Sequence, residues 1–575
     1  MVSTMVSRVK IKFQGDALAA ACGVVFFGLS VGFEKLDPRN LNWLTFGDQR
    51  AQLLGWWFFA DDRWRWPLGA NPRYGWEQMN SIVFTDSIPG LAFTFKLLNL
   101  QVFNSGQYFG VSLLLGSIAL FVGARRLFSA FGLGFWQAIC GMLILCTTPL
   151  FWWMQRWYVA LSSGVAILVW ATLFYVDDQV PLRQIWRRWT LLLVLAVAVQ
   201  AYLLIPVVGF FTAALANRFF AKRDKLNSLM LGFLGSCVLC VGAMYVFGYY
   251  TVPSKWSQTG GYGWYSANLL GLIDSNGASQ ILPNLPSISG QYEPTSLATG
   301  TLLLMPVLFV HFLRTKMRIP IRVHVSKHAP LFFILAVLSA LAITNTVSLG
   351  SWSFKVPIPD RLEHGLSIFR SSARFFWPSI VVLTAFIVVL ALRHLRHGLM
   401  LIVLVLVVQF FDYRGEFTTM SDRPDGPTIG IEFDQEVWKH IPLSYTKIAV
   451  HPAASLGQGW SECAFAAVQT NRTGECGYFG RVQGLESVNR KNADAMFSGE
   501  LDRNTIYWIS VDWLTSNRTQ LLETYAPAQM EVLVVQQLRG LGGNSVLVFQ
   551  GCSGSASCSL LRESSQTLGE FLRNL

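Results

Sequence analysis

Apolar runs of nearly membrane-spanning length recur from residue 16 to residue 411, and they constrain the fold more than any other feature. The first run, DALAAACGVVFFGLSVGF at 16–33, approaches the roughly 20 apolar residues that cross a bilayer as a helix. In the whole chain 52% of residues are hydrophobic and 14% are charged, whereas soluble domains carry about 25% charged residues. Since a single soluble core cannot absorb so much apolar sequence, we expect an α-helical polytopic membrane protein.

Basic residues follow the apolar runs in a pattern that predicts their orientation. Cytoplasmic loops of membrane proteins are enriched in lysine and arginine, and every loop predicted to lie inside is basic, from Arg125 to Arg396. This alternation predicts about eleven transmembrane helices with a cytoplasmic N-terminus. The predicted spans are 16–33, 107–124, 135–152, 158–176, a helical pair within 190–217 that turns near Gln200, 226–249, 298–313, 329–347, 375–392 and 398–411.

Hydropathy falls after residue 411, and this change predicts two domains. Residues 1–411 form the predicted transmembrane domain, and residues 412–575 form a predicted soluble domain of mixed α/β fold. Its strand-like pieces are TIYWISV (505–511), MEVLVVQQL (530–538) and SVLVFQ (545–550). The predicted outer loops are 34–106, 250–297 and 348–374. An odd number of spans places the C-terminal domain outside, in the periplasm if the membrane is the cytoplasmic membrane of a bacterium.

The cysteines agree with this division. Four of them, Cys463, Cys476, Cys552 and Cys558, lie in the predicted extracytoplasmic domain, where an even number in an oxidising compartment favours disulfides. Local pairing would join Cys463 to Cys476 and Cys552 to Cys558, although three connectivities are open. A zinc site is the alternative, but these four cysteines show no CxxC spacing and no histidine is near them in sequence.

Carboxylates stand beside apolar segments in the first outer loop. The stretch GDQRAQLLGWWFFA (47–60) is rich in tryptophan, so we expect an amphipathic helix that lies along the membrane. Asp48 stands at its start, and Asp86 precedes a second predicted interfacial helix near Pro89. Desolvation raises the free energy of a carboxylate at a membrane face unless it is paired. N-capping is the structural alternative for both acids, and the cluster DDRWRW (61–66) is expected to hold only local ion pairs.

Arginines and aromatic residues supply the other candidates. Arg370 and Arg374 stand four residues apart in FRSSARFFW, a spacing that would put both on one face of a helix. Arginine forks onto phosphate oxygens and stays charged, whereas headgroup snorkelling is the structural alternative. Aromatic faces and amides suit a sugar pocket. The weaker candidates for that pocket are Arg73, Tyr74, Lys255, Tyr262, Tyr265, Asn268, Tyr292 and Glu293.

The order of these features resembles the GT-C superfamily, whose members take sugar from a polyprenyl-phosphate donor on the outer membrane face. The more specific similarity is to a largely uncharacterised bacterial GT-C-like integral membrane family, and it covers about residues 1–412. The motifs that carry it are FGDQ (46–49), PLGANPRYG (67–75), SIVFTDSIP (81–89), GYGWYSANLLGLID (261–274), GQYE (290–293) and FRSSARFFWP (369–378).

The resemblance implies a glycosyltransferase with named roles for these residues. Asp48 would be the general base that activates the acceptor hydroxyl, Asp86 a second acid, and Arg370 and Arg374 the ligands of the donor phosphate. The implied partners are a polyprenyl-phosphate-linked sugar, a glycan, lipid or protein acceptor, and membrane lipids. No cofactor is expected with certainty, and dependence on a divalent metal stays open, since the sequence shows no secure set of metal ligands. The stereochemical outcome, inverting or retaining, stays open.

Two other classes of protein stay open. A lipid-glycan transporter or flippase would also need basic outer loops and aromatic belts, and a non-catalytic GT-C-like scaffold would present its C-terminal domain to partners. The sequence contains no Walker A, HExxH or DxD motif, so ATP-driven transport and a metal-bound nucleotide-sugar donor lack support. The net charge of +12 fits cytoplasmic loops and anionic headgroups, and no nucleic-acid-binding motif accompanies it.

Overall fold

The computed structural model describes most of the chain. The described residues are 2–45, 47–75, 80–100, 102, 105–152, 158–251, 262–315, 328–416, 438, 441–452, 460–476, 485–525, 532–536, 545–550 and 566–575. In chain order the α-helices are α1 (Val2–Ser30), α2 (Gly47–Asp61), α3 (Pro89–Leu98), α4 (Phe109–Ala130), α5 (Phe135–Cys146), α6 (Val159–Val176), α7 (Leu182–Val199), α8 (Leu204–Phe220), α9 (Leu226–Phe247), α10 (Thr299–Thr315), α11 (Ala329–Ile343), α12 (Asp360–Leu366), α13 (Trp377–His394), α14 (Gly398–Asp412), α15 (Trp460–Gln469), α16 (Leu485–Ser498), α17 (Val511–Ser516), α18 (Arg518–Tyr525) and α19 (Leu568–Asn574).

The chain divides into two compact units that are each built from separate segments. The first unit consists of Met1–Pro38, Tyr108–Met244 and Gln258–Pro424. The second unit consists of Arg39–Gln107, Tyr245–Ser257 and Asp425–Leu575. Most of the first predicted outer loop therefore belongs to the same unit as the C-terminal region, a grouping that hydropathy did not predict.

The structure is mostly helical, and each predicted span has a helical counterpart, but a count of eleven spans is not supported. Within the described residues, six segments are long and apolar enough to cross a membrane: Phe13–Ser30, Phe109–Ala130, Val159–Val176, Ala201–Phe220, Leu226–Phe247 and Ser372–His394. The other predicted spans correspond to α7, which carries three arginines near its start, and to the shorter helices α5, α10, α11 and α14. Helix α5 ends at Cys146, six residues before the predicted end, because Pro149 follows soon afterwards.

The predicted helical pair within 190–217 is confirmed. Helix α7 ends at Val199, and the side-chain oxygen of Gln200 accepts a hydrogen bond from the backbone N–H of Tyr202 at 2.6 Å. A 3-10 helix then leads into α8, where Pro206 occupies the first turn. A proline is tolerated there because the first N–H groups of a helix have no partner within it. The turn and the proline thus start α8 where the sequence indicated.

A six-stranded mixed sheet forms the core of the C-terminal region. Its strands are β3 (Lys447–His451), β4 (Thr473–Gly474), β5 (Thr505–Ser510), β6 (Val532–Gln536), β7 (Ser545–Gln550) and β8 (Gln566–Thr567), whereas β1 (Thr346–Leu349) and β2 (Trp352–Lys355) form a hairpin in the first unit. The order of the sheet is β4-β3-β5-β7-β6-β8. Strand β3 runs parallel to β4 and β5, and the other pairs are antiparallel. The strands predicted within 505–511, 530–538 and 545–550 are therefore confirmed.

Helix α2 is a buried helix of the second unit, so the prediction that 47–60 lies along a membrane surface is wrong. Trp56 and Trp57 are at most 6% exposed. The Trp57 ring lies 6.0 Å from that of Phe465 on α15. The polar side of the helix is covered as well, since Arg50 donates from Nη1 to Oγ of Ser461 at 2.7 Å. A helix that is covered on all sides is a core helix and not an interfacial one.

A disulfide joins Cys463 on α15 to Cys476, which follows β4. This is the local pairing named above, and it removes these two thiols as zinc ligands. Cys552 and Cys558 lie outside the described residues.

Candidate anion-binding site

The segment FRSSARFFW leads into the apolar helix α13. A 3-10 helix spans Ser372–Phe376 and α13 begins at Trp377. Arg374 lies inside the 3-10 helix, whereas Arg370 precedes it. The prediction that the two arginines share one face of a helix is therefore wrong, because the helical spacing does not extend back to Arg370.

Two tyrosines hold the backbone of this segment. The carbonyl of Tyr265 accepts hydrogen bonds from the N–H of Ala373 at 3.0 Å and from Oγ of Ser372 at 3.3 Å. The N–H of Ser371 donates to the hydroxyl of Tyr202 at 3.2 Å. These contacts tie the segment to the second outer loop and to the turn before α8. The backbone between Arg370 and Arg374 is therefore held by two separate parts of the chain.

Arg374 is a buried cation paired with a buried acid. Its Nε donates to Oε1 of Glu293 at 2.8 Å, and the two side chains are 8% and 1% exposed. Its Cζ lies 4.6 Å from the ring centroid of Tyr158 and 5.2 Å from that of Tyr202. Among the described residues, Glu293 is the one acceptor that the guanidinium has. The planar fork of guanidinium N–H groups suits phosphate, which makes Arg374 a candidate ligand for an anion.

Arg370 belongs to the same cluster through tyrosines. Its Nη2 donates to the hydroxyl of Tyr265 at 3.2 Å. The ring of Tyr265 lies 5.5 Å from that of Tyr292, and a hydrogen bond joins the side chains of Tyr292 and Tyr158. The two guanidinium groups are thus connected through three tyrosines, and we name these residues with Glu293 and Tyr202 the arginine–tyrosine cluster.

Burial decides the protonation of one of these phenols. Desolvation raises the pKa of Tyr292 to about 12, because burial disfavours the phenolate. At neutral pH the hydroxyl therefore keeps its proton and can donate a hydrogen bond. Two arginines against one glutamate give the cluster a positive formal charge.

Asn268 supports the cluster and is not available as a ligand in this arrangement. Its Nδ2 donates to Oε1 of Gln291 and to the carbonyl of Gly350, both at 2.8 Å. Its Oδ1 accepts from the N–H of Leu270 and of Gly350, both at 3.0 Å. The amide thus joins the second outer loop to the third, next to the residues that carry Tyr292 and Glu293.

A buried acid that sequence reasoning did not select anchors the same loop. Asp412, at the end of α14, is 2% exposed. It accepts hydrogen bonds from Oγ of Ser279 at 2.7 Å, from the N–H of Gln280 at 2.7 Å and from the N–H of Ile281 at 2.8 Å. The hydroxyl of Thr299 on α10 also donates to it. One carboxylate therefore ties the loop that follows Asp274 to α10 and α14.

The two acids predicted to be catalytic lie in the second unit, and their roles stay predictions. Asp48 is half-buried in the first turn of α2, where a carboxylate interacts favourably with the helix dipole. Asp86 ends a 3-10 helix with φ +52°. The N-cap of α3 is Ile88, so N-capping does not explain Asp86.

The remaining candidates separate into three groups. Arg73 donates from Nη1 to Asp61 and from Nη2 to Asn471, both at 2.6 Å, and the fully buried Tyr74 stacks on Phe58. These two residues therefore hold the second unit together. Tyr262 is half-buried in the first unit, and Lys255 lies outside the described residues.

In the acidic cluster of the first loop, Asp62 forms the expected local ion pair, whereas Asp61 pairs with Arg73 outside the cluster. Arg65 donates from Nε to Oδ2 of Asp62 at 2.9 Å, which confirms the expected local ion pair.

Sequence reasoning missed Tyr158 and Tyr202. Tyr158 stands immediately before α6 and Tyr202 in the turn before α8, so neither belongs to a chemical motif. The one signal in the sequence is their position at the predicted outer ends of spans. Tyr158 begins the predicted span 158–176, and Tyr202 lies in the turn of the helical pair within 190–217. Long-range packing, which has no local signature, brings them to Arg374.

A family model described as Domain of unknown function (DUF6311) matches residues 20–414. No curated protein and no solved structure matches the chain. The matched segment contains every member of the arginine–tyrosine cluster and ends before the C-terminal sheet. Within the described residues, no group of three or more His, Cys, Asp and Glu side chains could hold a metal ion.

Proposed function

We propose that this chain, which belongs to the DUF6311 family, is a membrane glycosyltransferase that uses a polyprenyl-phosphate-linked sugar. The acceptor would be a surface glycan, a lipid or a protein at the outer face of the cytoplasmic membrane. The observation that carries the proposal is the buried Arg374, paired with Glu293 and linked to Arg370 through tyrosines. A cluster of two arginines and one glutamate suits a ligand that carries negative charge.

The chemistry of the leaving group supports this choice. When the sugar is transferred, the polyprenyl phosphate departs as an anion and needs charge neutralisation more than a strong acid. Arginine supplies it because guanidinium binds phosphate oxygens in a bidentate manner. The ion pair with Glu293 would orient the Arg374 guanidinium before the ligand arrives, so that little reorganisation is needed. Arg370 would contribute the second positive charge.

The position of the cluster supports a lipid-linked donor. Arg374 stands at the start of Ser372–His394, an apolar segment long enough to cross a membrane. In the topology that the basic loops indicate, this end faces outward, at the level of the headgroups. The full proposal includes about eleven crossings in a GT-C-like arrangement and a periplasmic C-terminal domain. Six crossings would be the long apolar segments, and the other five would be α5, α7, α10, α11 and α14.

The aromatic residues would recognise the sugar. The rings of Tyr265 and Tyr292 lie 5.5 Å apart and meet at 73°. Aromatic faces and neutral phenol donors suit the apolar faces and hydroxyl groups of a sugar. In this proposal Asp48 is the general base for the acceptor and Asp86 its partner, on the strength of the resemblance.

The proposal is tested with purified protein and polyprenyl-phosphate sugars extracted from membranes, by following release of polyprenyl phosphate. We expect Arg374→Gln to lower turnover by about a hundredfold or more, as when one donor to a developing oxyanion is removed. Arg396→Gln is the matched control, because Arg396 is exposed before α14. Asp48→Asn should bind the donor and release no polyprenyl phosphate.

Two outcomes would overturn the proposal. Equal turnover by the wild type, Arg374→Gln and Arg396→Gln would remove the arginine–tyrosine cluster from the reaction. Movement of the donor lipid across vesicle membranes by the wild type, without release of polyprenyl phosphate, would assign the chain to the lipid-glycan transporters instead.

A further inference from the structure

A large apolar cavity lies within the first unit and shares no lining residue with the arginine–tyrosine cluster. Its volume is about 890 Å³, within the range of roughly 300–1,000 Å³ that small-molecule sites occupy. Helices α1 and α14 supply most of its lining, and Phe121, Leu143, Thr147 and Arg414 supply the rest. Apart from Arg414, every side chain that lines it is uncharged.

The lining follows one face of α1. Leu18, Cys22, Val25 and Leu29 recur at intervals of three and four residues, the spacing of a single helix face. From Leu18 to Leu29 the helix rises by about 16 Å at 1.5 Å per residue. That distance is about half of the roughly 30 Å hydrocarbon core of a bilayer. The cavity is therefore as deep as one leaflet.

The walls of the cavity are open apolar surfaces. Val25 and Leu29 on α1 are 59% and 56% exposed, and Val407 and Phe410 on α14 are 46% and 48% exposed. Residues 13–30 of α1 also form one of the six segments long and apolar enough to cross a membrane. In a bilayer such a surface is covered by hydrocarbon, because the bilayer core holds no water and apolar surface is more stable in contact with lipid chains.

One cation borders this apolar space. Arg414 is exposed, two residues after the end of α14, and it makes no hydrogen bond or ion pair with any described residue. The neighbouring acid, Asp412, is buried among the donors of the second outer loop. An apolar cavity with a positive charge at its border is complementary to an amphiphilic molecule with an anionic headgroup.

We propose that this cavity binds one acyl chain of an anionic phospholipid, whose phosphate lies against Arg414. The depth of one leaflet matches an ordinary acyl chain better than a polyprenyl chain, which is longer than a leaflet is thick. This lipid site is separate from the donor site and does not depend on the proposed reaction. A lipid bound there would fill the space between α1 and α14.

The chain-binding part of the proposal is tested by native mass spectrometry with phosphatidylglycerol and phosphatidylcholine of equal chain length. The wild type should retain one phosphatidylglycerol molecule in a saturable manner. Val407→Trp, which fills the cavity, should abolish that adduct, whereas Leu404→Trp should keep it, because Leu404 is exposed on α14 outside the lining. Leu29→Trp repeats the test from α1 in case the first variant unfolds.

The headgroup part is tested with Arg414→Gln and, as its control, Arg396→Gln at the other end of α14. We expect Arg414→Gln to reduce the preference for phosphatidylglycerol over phosphatidylcholine by about twofold to fivefold, the effect of one lost exposed ion pair. The control should keep the full preference. Three outcomes would each overturn the proposal. The first is lipid retention by folded Val407→Trp and folded Leu29→Trp. The others are equal lipid preferences in Arg414→Gln and Arg396→Gln, and a lipid-free dimer in place of the lipid adduct.

Discussion

At the scale of single residues, the chemistry of the first unit depends on charges that are buried in pairs. Arg374 and Glu293 are both less than one-tenth exposed. Desolvation opposes each charge alone, and the pair is tolerated because each neutralises the other. Such a pair is weak evidence for stability but strong evidence for a constrained geometry, since removing one partner leaves the other charge buried.

The ion pair gives the first prediction. Glu293→Gln should lower the free energy of unfolding by about 3–5 kcal/mol, because it leaves the Arg374 charge without its buried counter-charge. Glu363→Gln is the matched control, since Glu363 pairs with Lys355 at the surface at 2.8 Å, where an ion pair contributes less than about 1 kcal/mol. Denaturant unfolding in detergent measures both. Equal effects of the two substitutions would contradict the buried pair.

His451 gives a second prediction, on pH. At the end of β3 it is 2% exposed, neither ring nitrogen has a hydrogen-bond partner among the described residues, and the ring meets Trp513 edge-on at 4.3 Å. Burial lowers the pKa of His451 from 6.5 to about 4. The unfolded state therefore binds more protons between these values, so the stability contribution of the neutral ring is present above pH 6.5 and is lost as the pH falls towards 4.

Hydrogen exchange of the C-terminal sheet, followed between pH 4 and pH 7 and corrected for intrinsic rates, measures this effect. His451→Phe should flatten the pH dependence, because the ring no longer titrates. A wild-type sheet whose protection does not change across this window would contradict the prediction.

At the scale of elements, loops are held by single polar side chains that reach across long stretches of sequence. Asp412 at the end of α14 accepts from the loop at Ser279–Ile281 and from α10, and Asn268 joins the second outer loop to Gly350. Loops of this length stay ordered only if their backbone groups find partners. These two residues therefore decide how rigidly the loop that carries Glu293 is presented.

The third prediction concerns Asp412. Asp412→Ala should raise the hydrogen-exchange rate of residues 279–282, because the N–H groups of Gln280 and Ile281 lose their acceptor. Each buried donor left without a partner raises the free energy of the ordered loop by about 1–3 kcal/mol. Asp360→Ala on α12 is the control, since Asp360 is exposed. Unchanged exchange in 279–282 would show that the loop is ordered by other contacts.

At the scale of the whole molecule, chain order does not match the compact units. The first outer loop, which lies between two predicted spans, packs with the C-terminal region in the second unit. Within that unit α2 contacts α15 through Trp57 and Phe465 and through Arg50 and Ser461. The burial of α2 therefore depends on residues more than 400 positions away in sequence.

The fourth prediction follows from this dependence. Deletion of residues 425–575 should increase hydrogen exchange in α2 strongly and leave α4 unchanged, because α2 loses its cover and α4 belongs to the first unit. Phe465→Ala is a milder variant that should have a smaller effect in the same direction, since it removes one ring. Full protection of α2 in the deleted protein would contradict the grouping of these segments.

The sequence by itself determined the positions of the apolar helices, the turn at Gln200 and three of the six strands of the C-terminal sheet, β5, β6 and β7. These features follow from local hydropathy, periodicity and turn residues, which act over a few neighbouring positions. Only the tertiary structure decided that α2 is buried and that Arg370 and Arg374 meet through Tyr158, Tyr265 and Tyr292. Contacts between residues that lie a hundred or more positions apart leave no local pattern, because they depend on how whole helices and loops pack.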